Sequence, residues 1–305
     1  MELTRRNFLK FTAATGTIGV SGAVRKASAH SGKPVSPDWL GVLVDTTVCI
    51  GCRKCEWACN NVNKLSEKSI TEFEDKSVFE KMRRPDEKSY TVVNQYENPN
   101  DPQLQYYVKV QCMHCNDAAC VSACIVGALT KHPETGAVHY DPWKCIGCRY
   151  CMAACPFQIP AYEYQNALTP QVRKCTFCFD RINEHGGLPG CVEICPVEAL
   201  TFGKRTNLIK LAREKIAKEP DRYIDHIYGE HELGGTSWMY LSGKPMHEMD
   251  MERFGERSIP SYTEPVQHAI FKNFVPPISL FAFLGIIMKL FKNHDEANAE
   301  KGGTQ

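Results

Sequence analysis

Sixteen cysteines fall into four quartets with none left over, and this constrains the 305-residue chain more than any other feature. The quartets are Cys49-x2-Cys52-x2-Cys55-x3-Cys59, Cys112-x2-Cys115-x4-Cys120-x3-Cys124, Cys145-x2-Cys148-x2-Cys151-x3-Cys155 and Cys175-x2-Cys178-x12-Cys191-x3-Cys195. Three thiols so close in sequence can face one point only if the backbone curls tightly. Gly51 and Gly147, each between a first and second cysteine, relax that curl. An even cysteine count behind an export signal would ordinarily read as a disulfide framework. Structural zinc is a second alternative, although it usually joins two C-x2-C knuckles about a dozen or more residues apart.

The N-terminus bears on that choice. "TRRNFLK" at residues 4–10 is a twin-arginine pattern, followed by a weakly apolar stretch and a small-residue cleavage signal at Ala27-Ser28-Ala29. It resembles a Tat signal, which implies export after folding, so that metal can bind in a reducing cytosol before disulfides form. The mature chain would begin near His30. A net charge of +1 argues against a nucleic-acid binder, and an apolar fraction of 43% is ample for a core.

The first and third quartets match the bacterial ferredoxin run C-x2-C-x2-C-x3-C, in which three thiolates hold one [4Fe–4S] cube and the fourth reaches a second. Cys155-Pro156 and Cys195-Pro196 add the trailing proline, whereas Asn60 and Ile125 stand there in the other two quartets. The fourth carries an insertion, "FDRINEHGGLPG". Each quartet is a repeat of the others. After the second, the pattern predicts a short helix through Cys124, a strand around Ala128-Leu129-Thr130, a Pro-Glu-Thr-Gly turn and a strand over Ala137-Val138-His139-Tyr140. "CPVEALTFGK" repeats this exit after the fourth. The expected fold is α+β: two tandem or nested two-cluster ferredoxin-like units with insertions, plus a single C-terminal transmembrane helix.

With a Tat signal and an apolar C-terminal segment, these quartets resemble the four-cluster electron-transfer subunits of formate dehydrogenases, dimethyl sulfoxide reductases and polysulfide reductases. The tail "GEHELGGTSWMYLSGKP" and "VQHAIFKNFVPP" resemble the iron–sulfur subunit of the periplasmic, quinone-linked nickel–iron hydrogenase. The resemblance implies a nested exchange of ligands to four [4Fe–4S] clusters. Cluster one would use Cys49, Cys52, Cys55 and Cys195, and cluster two Cys59, Cys175, Cys178 and Cys191. Cluster three would use Cys112, Cys115, Cys120 and Cys155, and cluster four Cys124, Cys145, Cys148 and Cys151. It also implies partners: the small and large hydrogenase subunits, a polytopic quinone-binding membrane subunit, the bilayer, and menaquinone or ubiquinone indirectly. A molybdenum or tungsten oxidoreductase is the alternative catalytic partner.

Fully thiolate-ligated cubes leave no iron site open to substrate, and no Ser-His-Asp order, phosphate-binding glycine loop or catalytic carboxylate pair is present. The chain is therefore expected to carry electrons and to have no catalytic residues. A zinc-stapled interaction module or an autonomous catalyst are the remaining alternatives. Arg53, Lys54 and Arg149 lie inside ligand loops, where positive charge would favour the reduced cluster, unless they are solvated surface cations. His114 is expected to pack or to hydrogen-bond near the cluster rather than to ligate.

The sequence divides into a signal peptide (1–29), a four-cluster domain (30–205) with an insertion at 60–111, an extension (206–265), a membrane anchor (266–292) and a disordered cytoplasmic tail (293–305). The insertion reads as solvated or as a docking surface. "TNLIKLAREKIAKEP" reads as an amphipathic helix capped by Thr206 or Asn207 and packed on the core. The anchor "FVPPISLFAFLGIIMKLF" holds one charge, Lys289, and a span needs roughly 20 apolar residues, so it reaches across with help from its flanks. The expected location is the periplasmic face of the inner membrane.

Overall fold

A computed structural model describes residues 36–98, 105–273 and 283–292. The chain forms two compact units, 1–261 and 262–305. The Tat segment and the terminal tail lie outside the described residues.

The first unit is built on a three-stranded sheet whose centre is β1 (Leu40–Asp45), with β8 (Leu200–Lys204) antiparallel on one side and β9 (Trp238–Leu241) parallel on the other. Alternation along these strands gives the sheet two dry faces. Leu43, Met239 and Leu241 meet Leu208, Ala212 and Ile216 of helix α6 (Arg205–Lys218). Val42, Val44, Trp238 and Tyr240 point the other way, into a core that also holds Cys112, Cys175 and Cys191. The α6 stripe is that of the amphipathic helix expected from sequence. Its cap is not: the N-cap is Lys204, with no side-chain cap hydrogen bond, and Thr206 instead donates to Pro37 O at 3.1 Å.

Three short hairpins complete the sheet structure: β2 (Thr91–Tyr96) with β3 (Tyr106–Gln111), β4 (Leu129–Lys131) with β5 (Val138–Tyr140), and β6 (Ala161–Tyr162) with β7 (Val172–Arg173). Gly136, at φ 71°, closes the Pro-Glu-Thr-Gly turn between β4 and β5. The helices at the quartets are brief: α1 (Lys54–Val62), α2 (Ala119–Ser122), α3 (Tyr150–Ala154), α4 (Phe179–His185) and α5 (Gly190–Glu193). The strand that precedes the first quartet thus pairs with the strand that follows the fourth, while the β4–β5 hairpin joins the second quartet to the third.

The region read as a solvated insertion is only partly so. Residues 64–88 are largely exposed, but Tyr90, Val92, Val93, Val108 and Val110 are core, because the β2–β3 hairpin packs beside the cysteines.

Helix α7 (Pro260–Asn273) begins at the end of the first unit. The second unit contains a described helix over 283–292, whose Phe283, Ile286, Met288 and Leu290 are exposed. Among the described residues no helix is long and apolar enough to cross a membrane. The single span expected over 266–292 is therefore not seen, its middle, 274–282, lying outside the described residues.

Candidate metal centre

All four C-x2-C turns share positive φ at one position, whether glycine, histidine or phenylalanine stands there. The residue before the second cysteine has positive φ in each: Gly51 (64°), His114 (47°), Gly147 (70°) and Phe177 (60°). At Gly51 the demand is also steric, since a Cβ would lie 2.2 Å from the Tyr107 ring. Arg53 and Arg149, both at φ 61°, turn the chain again into α1 and α3. A third common turn follows the last cysteine, where Gly127, Gln158 and Glu198 donate back to the carbonyls of Cys124, Cys155 and Cys195 at 3.1, 3.0 and 3.3 Å. Non-glycine residues held at positive φ cost energy that surrounding contacts must offset, and such strain gathers at functional sites.

All sixteen cysteines are free. Among the described residues, no three His, Cys, Asp or Glu side chains gather closely enough to hold a single metal ion. The thiols instead form wider groups. Burial pushes the thiol of Cys115 well above its ordinary value, and Cys112, Cys120 and Cys155 push the same way. Burial likewise raises Cys151 to about 11, with Cys145, Cys124 and Cys148 adding to it. Cys59, buried and raised, has Cys175, Cys191 and Cys178 as its thiol neighbours. Cys49, raised by burial to about 11, has Cys195 and Cys52. Couplings also cross between these groups: Cys55 with Cys191, Cys120 with Cys151, and Cys175 with Cys112, the last exceeding the coupling of Cys175 to Cys178 of its own group.

Neutral buried thiols are unfavourable places for a proton to leave, so the anionic form needs compensation from bound metal. The donor chemistry suits iron: the sulfurs are soft and gathered in groups of four. Cys49, Cys52, Cys55 and Cys195 line one cavity, whose remaining wall is mostly apolar, including Val44, Val93 and Leu200. Backbone N–H groups of Ala128 and Leu129 donate to Cys124 Sγ at 3.2 and 3.5 Å, and that of Phe177 to Cys175 Sγ at 3.4 Å. Such bonds are among the levers that set cluster potentials.

Residues 104–205 match the family model of a 4Fe-4S dicluster domain. A protein of Nitratidesulfovibrio vulgaris (strain Hildenborough) is 51% identical over 265 residues, covering 86% of this chain and 70% of its own length. The hydrogenase-2 operon protein HybA of Escherichia coli O157:H7 is 34% identical over 325 residues, 96% of this chain and 97% of its own. The iron–sulfur subunit of the nitrate-inducible formate dehydrogenase of E. coli K12 is 33% identical over 245 residues, 79% of this chain and 77% of its own. The chain belongs to the HybA-like 4Fe-4S electron-transfer subunits.

Seen as a HybA-like subunit, the chain buries one of the three loop cations that the sequence singled out, Arg53, and carries further buried charge elsewhere. Arg53 is 5% exposed but paired, Nη2 standing 3.0 Å from Glu56 Oε2, and Glu56 also holds Arg83 at 2.6 Å. Arg149 is exposed, over the Tyr162 and Tyr164 rings. Lys54 is half-buried on the wall of the Cys49 cavity. The cations deepest among the cysteines are Lys109, Lys131 and Lys174. Lys131 Nζ donates to the His114 and Cys115 carbonyls at 3.0 and 2.7 Å, and Lys174 Nζ to those of Val138 and Cys175 at 2.6 and 3.1 Å. The one available sign was a lysine inside the apolar run Val108-Lys109-Val110. His114 is fully buried; its Nδ1 accepts from Val138 N–H at 2.9 Å and its ring lies 4.9 Å from that of Phe177, a packing role as expected. Burial, then Lys174 and Lys131, keep it neutral.

Proposed function

We propose that this subunit carries four [4Fe–4S] clusters in a line and relays electrons, without catalysis of its own, from a periplasmic nickel–iron hydrogenase to a quinone-reducing membrane subunit. Cys49, Cys52, Cys55 and Cys195 would hold the first cluster, and Cys59, Cys175, Cys178 and Cys191 the second. Cys112, Cys115, Cys120 and Cys155 would hold the third, and Cys124, Cys145, Cys148 and Cys151 the fourth. The observation that supports this reading is that Cys49, Cys52, Cys55 and the distant Cys195 line one cavity, with Cys155 of the third quartet likewise beside Cys112 of the second. The β1–β8 pairing around the outer quartets and the β4–β5 hairpin between the inner ones support two nested ferredoxin-like units.

Each cluster, when bound, supplies a reversible one-electron site. The protein's own part is to ligate, to exclude water and to set charge. Cys59 and Cys175 are buried and Cys55 and Cys115 half-buried, whereas Cys148 is exposed. Trp143, Ile146 and Tyr150, within five residues of Cys148 in sequence, are exposed, Trp143 at 96%, as is Ile125 next to Cys124. Exposed apolar side chains on the ligand loops suit the exit to a membrane partner. The Tat signal, the periplasmic location and an apolar C-terminal anchor complete the proposal, the last supported by the exposed apolar side chains of helix 283–292. HybA's full-length similarity favours hydrogenase over a molybdenum or tungsten enzyme as the electron source.

The test is anaerobic co-purification from the native membrane. Hydrogenase subunits should accompany the chain, and hydrogen should bleach its visible absorption. Recovery of a formate-oxidising enzyme instead, with bleaching by formate and not by hydrogen, would replace the hydrogenase assignment.

A further inference from the structure

Lys109 is 3% exposed, in the middle of β3. Its Nζ donates to Thr91 Oγ1 at 2.8 Å and Gln111 Oε1 at 3.0 Å, and lies 4.4 Å from the Trp238 ring centroid. All three partners are neutral. Gln111 is fixed in turn by Tyr240, whose hydroxyl accepts from Gln111 Nε2 at 2.7 Å and donates to the Lys109 carbonyl at 2.8 Å. Among the described residues no carboxylate forms an ion pair with Lys109, although the other buried cation of this region, Arg53, has Glu56. A buried ammonium answered only by neutral groups is strongly unfavourable. Lys109 lines the cavity of Cys49, Cys52, Cys55 and Cys195, and the cysteines that act on it are Cys55 from the first set and Cys59, Cys175 and Cys191 from the second, which turn anionic on ligating a cluster.

We propose that Lys109 is a tuning residue shared by the first two clusters, its fixed charge stabilising the reduced state of both. This rests on the four-cluster reading above. Each reduction adds one electron to one cluster, from the upstream redox partner, with no bond made or broken. The reduced cluster is more negative, so a cation within the same dry volume favours it. Hydrogen bonds from Thr91 and Gln111, where Gln111 is held by Tyr240, keep the ammonium from swinging out, and the Trp238 face adds an attraction suited to a desolvated cation.

The experiment is an anaerobic redox titration of the full cluster-loaded chain followed by paramagnetic resonance, comparing wild type with Lys109→Met and Lys109→Arg. In Lys109→Met the reduced-to-oxidised ratio of two clusters at a fixed potential should fall at least tenfold, equivalent to 59 mV for one electron. The other two clusters should titrate as in wild type, and Lys109→Arg should restore the first pair. Unchanged titration of all four clusters in Lys109→Met would overturn the proposal, as would equal shifts in the Met and Arg variants. If Lys109→Met loses iron, Lys109→Gln is titrated in its place; loss of iron in Gln and Arg variants alike would assign Lys109 to packing and overturn it too. A wild-type chain without four reducible signals would instead sink the four-cluster reading itself.

Discussion

Cys155 closes the third quartet in sequence, yet its thiol neighbour is Cys112 of the second. The same holds for Cys195, which faces Cys49 across the whole cysteine region. If these pairings reflect shared clusters, then paired substitutions have a definite signature. Cys112→Ser and Cys155→Ser together should remove one cluster, about four irons, no more than either alone, whereas Cys151→Ser with Cys155→Ser should remove two, about eight. Iron analysis with paramagnetic resonance reads the difference. The reverse pattern would return each fourth cysteine to its own quartet. What was legible at this scale was the spacing itself, because ligands within a few residues of one another are fixed by local turns. Lys109 was not legible: its burial depends on Trp238 and Tyr240, brought beside β3 by a strand more than a hundred residues on.

At the scale of elements, the central sheet is tied to α6 by one carboxylate. Asp45, at the end of β1, accepts from Lys215 Nζ at 2.9 Å, the Tyr223 hydroxyl at 2.7 Å and Thr47 Oγ1 at 2.7 Å. Burial alone would raise its pKa, but these donors outweigh it and hold the carboxyl below its ordinary value. A depressed carboxylate contributes stability that is present above the unfolded pKa, about 3.9, and is lost as pH falls through the lower folded value. Asp45→Asn should therefore cost about 1–3 kcal/mol at neutral pH, with the gap from wild type closing below about pH 4. Thermal denaturation at both pH values checks this, and a gap independent of pH would contradict it. The apolar stripe of α6 was plain in the sequence, since helical periodicity is local. The parallel pairing of β1 with β9 was not, because strand order across about two hundred residues leaves no periodic mark. The β2–β3 hairpin was misjudged for a related reason: the charged residues around it gave no hint that its own side chains meet the cysteine core.

At the scale of the whole molecule, the central sheet packs α6 on one face and several of the sixteen cysteines on the other, while Cys120, Cys124, Cys145 and Cys151 gather in a separate cluster around the β4–β5 hairpin. Among the described residues, the buried Lys109 and Lys174 and the half-buried Lys131 form no ion pair with a carboxylate, and each has a hydrogen bond to neutral groups near the cysteines instead. Bound anionic 4Fe-4S clusters would supply the counter-charge that these lysines lack. The direct test is iron, acid-labile sulfide and zinc analysis of anaerobically purified protein. The account predicts roughly sixteen irons and as many sulfides per chain, with negligible zinc. Iron-free protein, or one holding stoichiometric zinc, would contradict it.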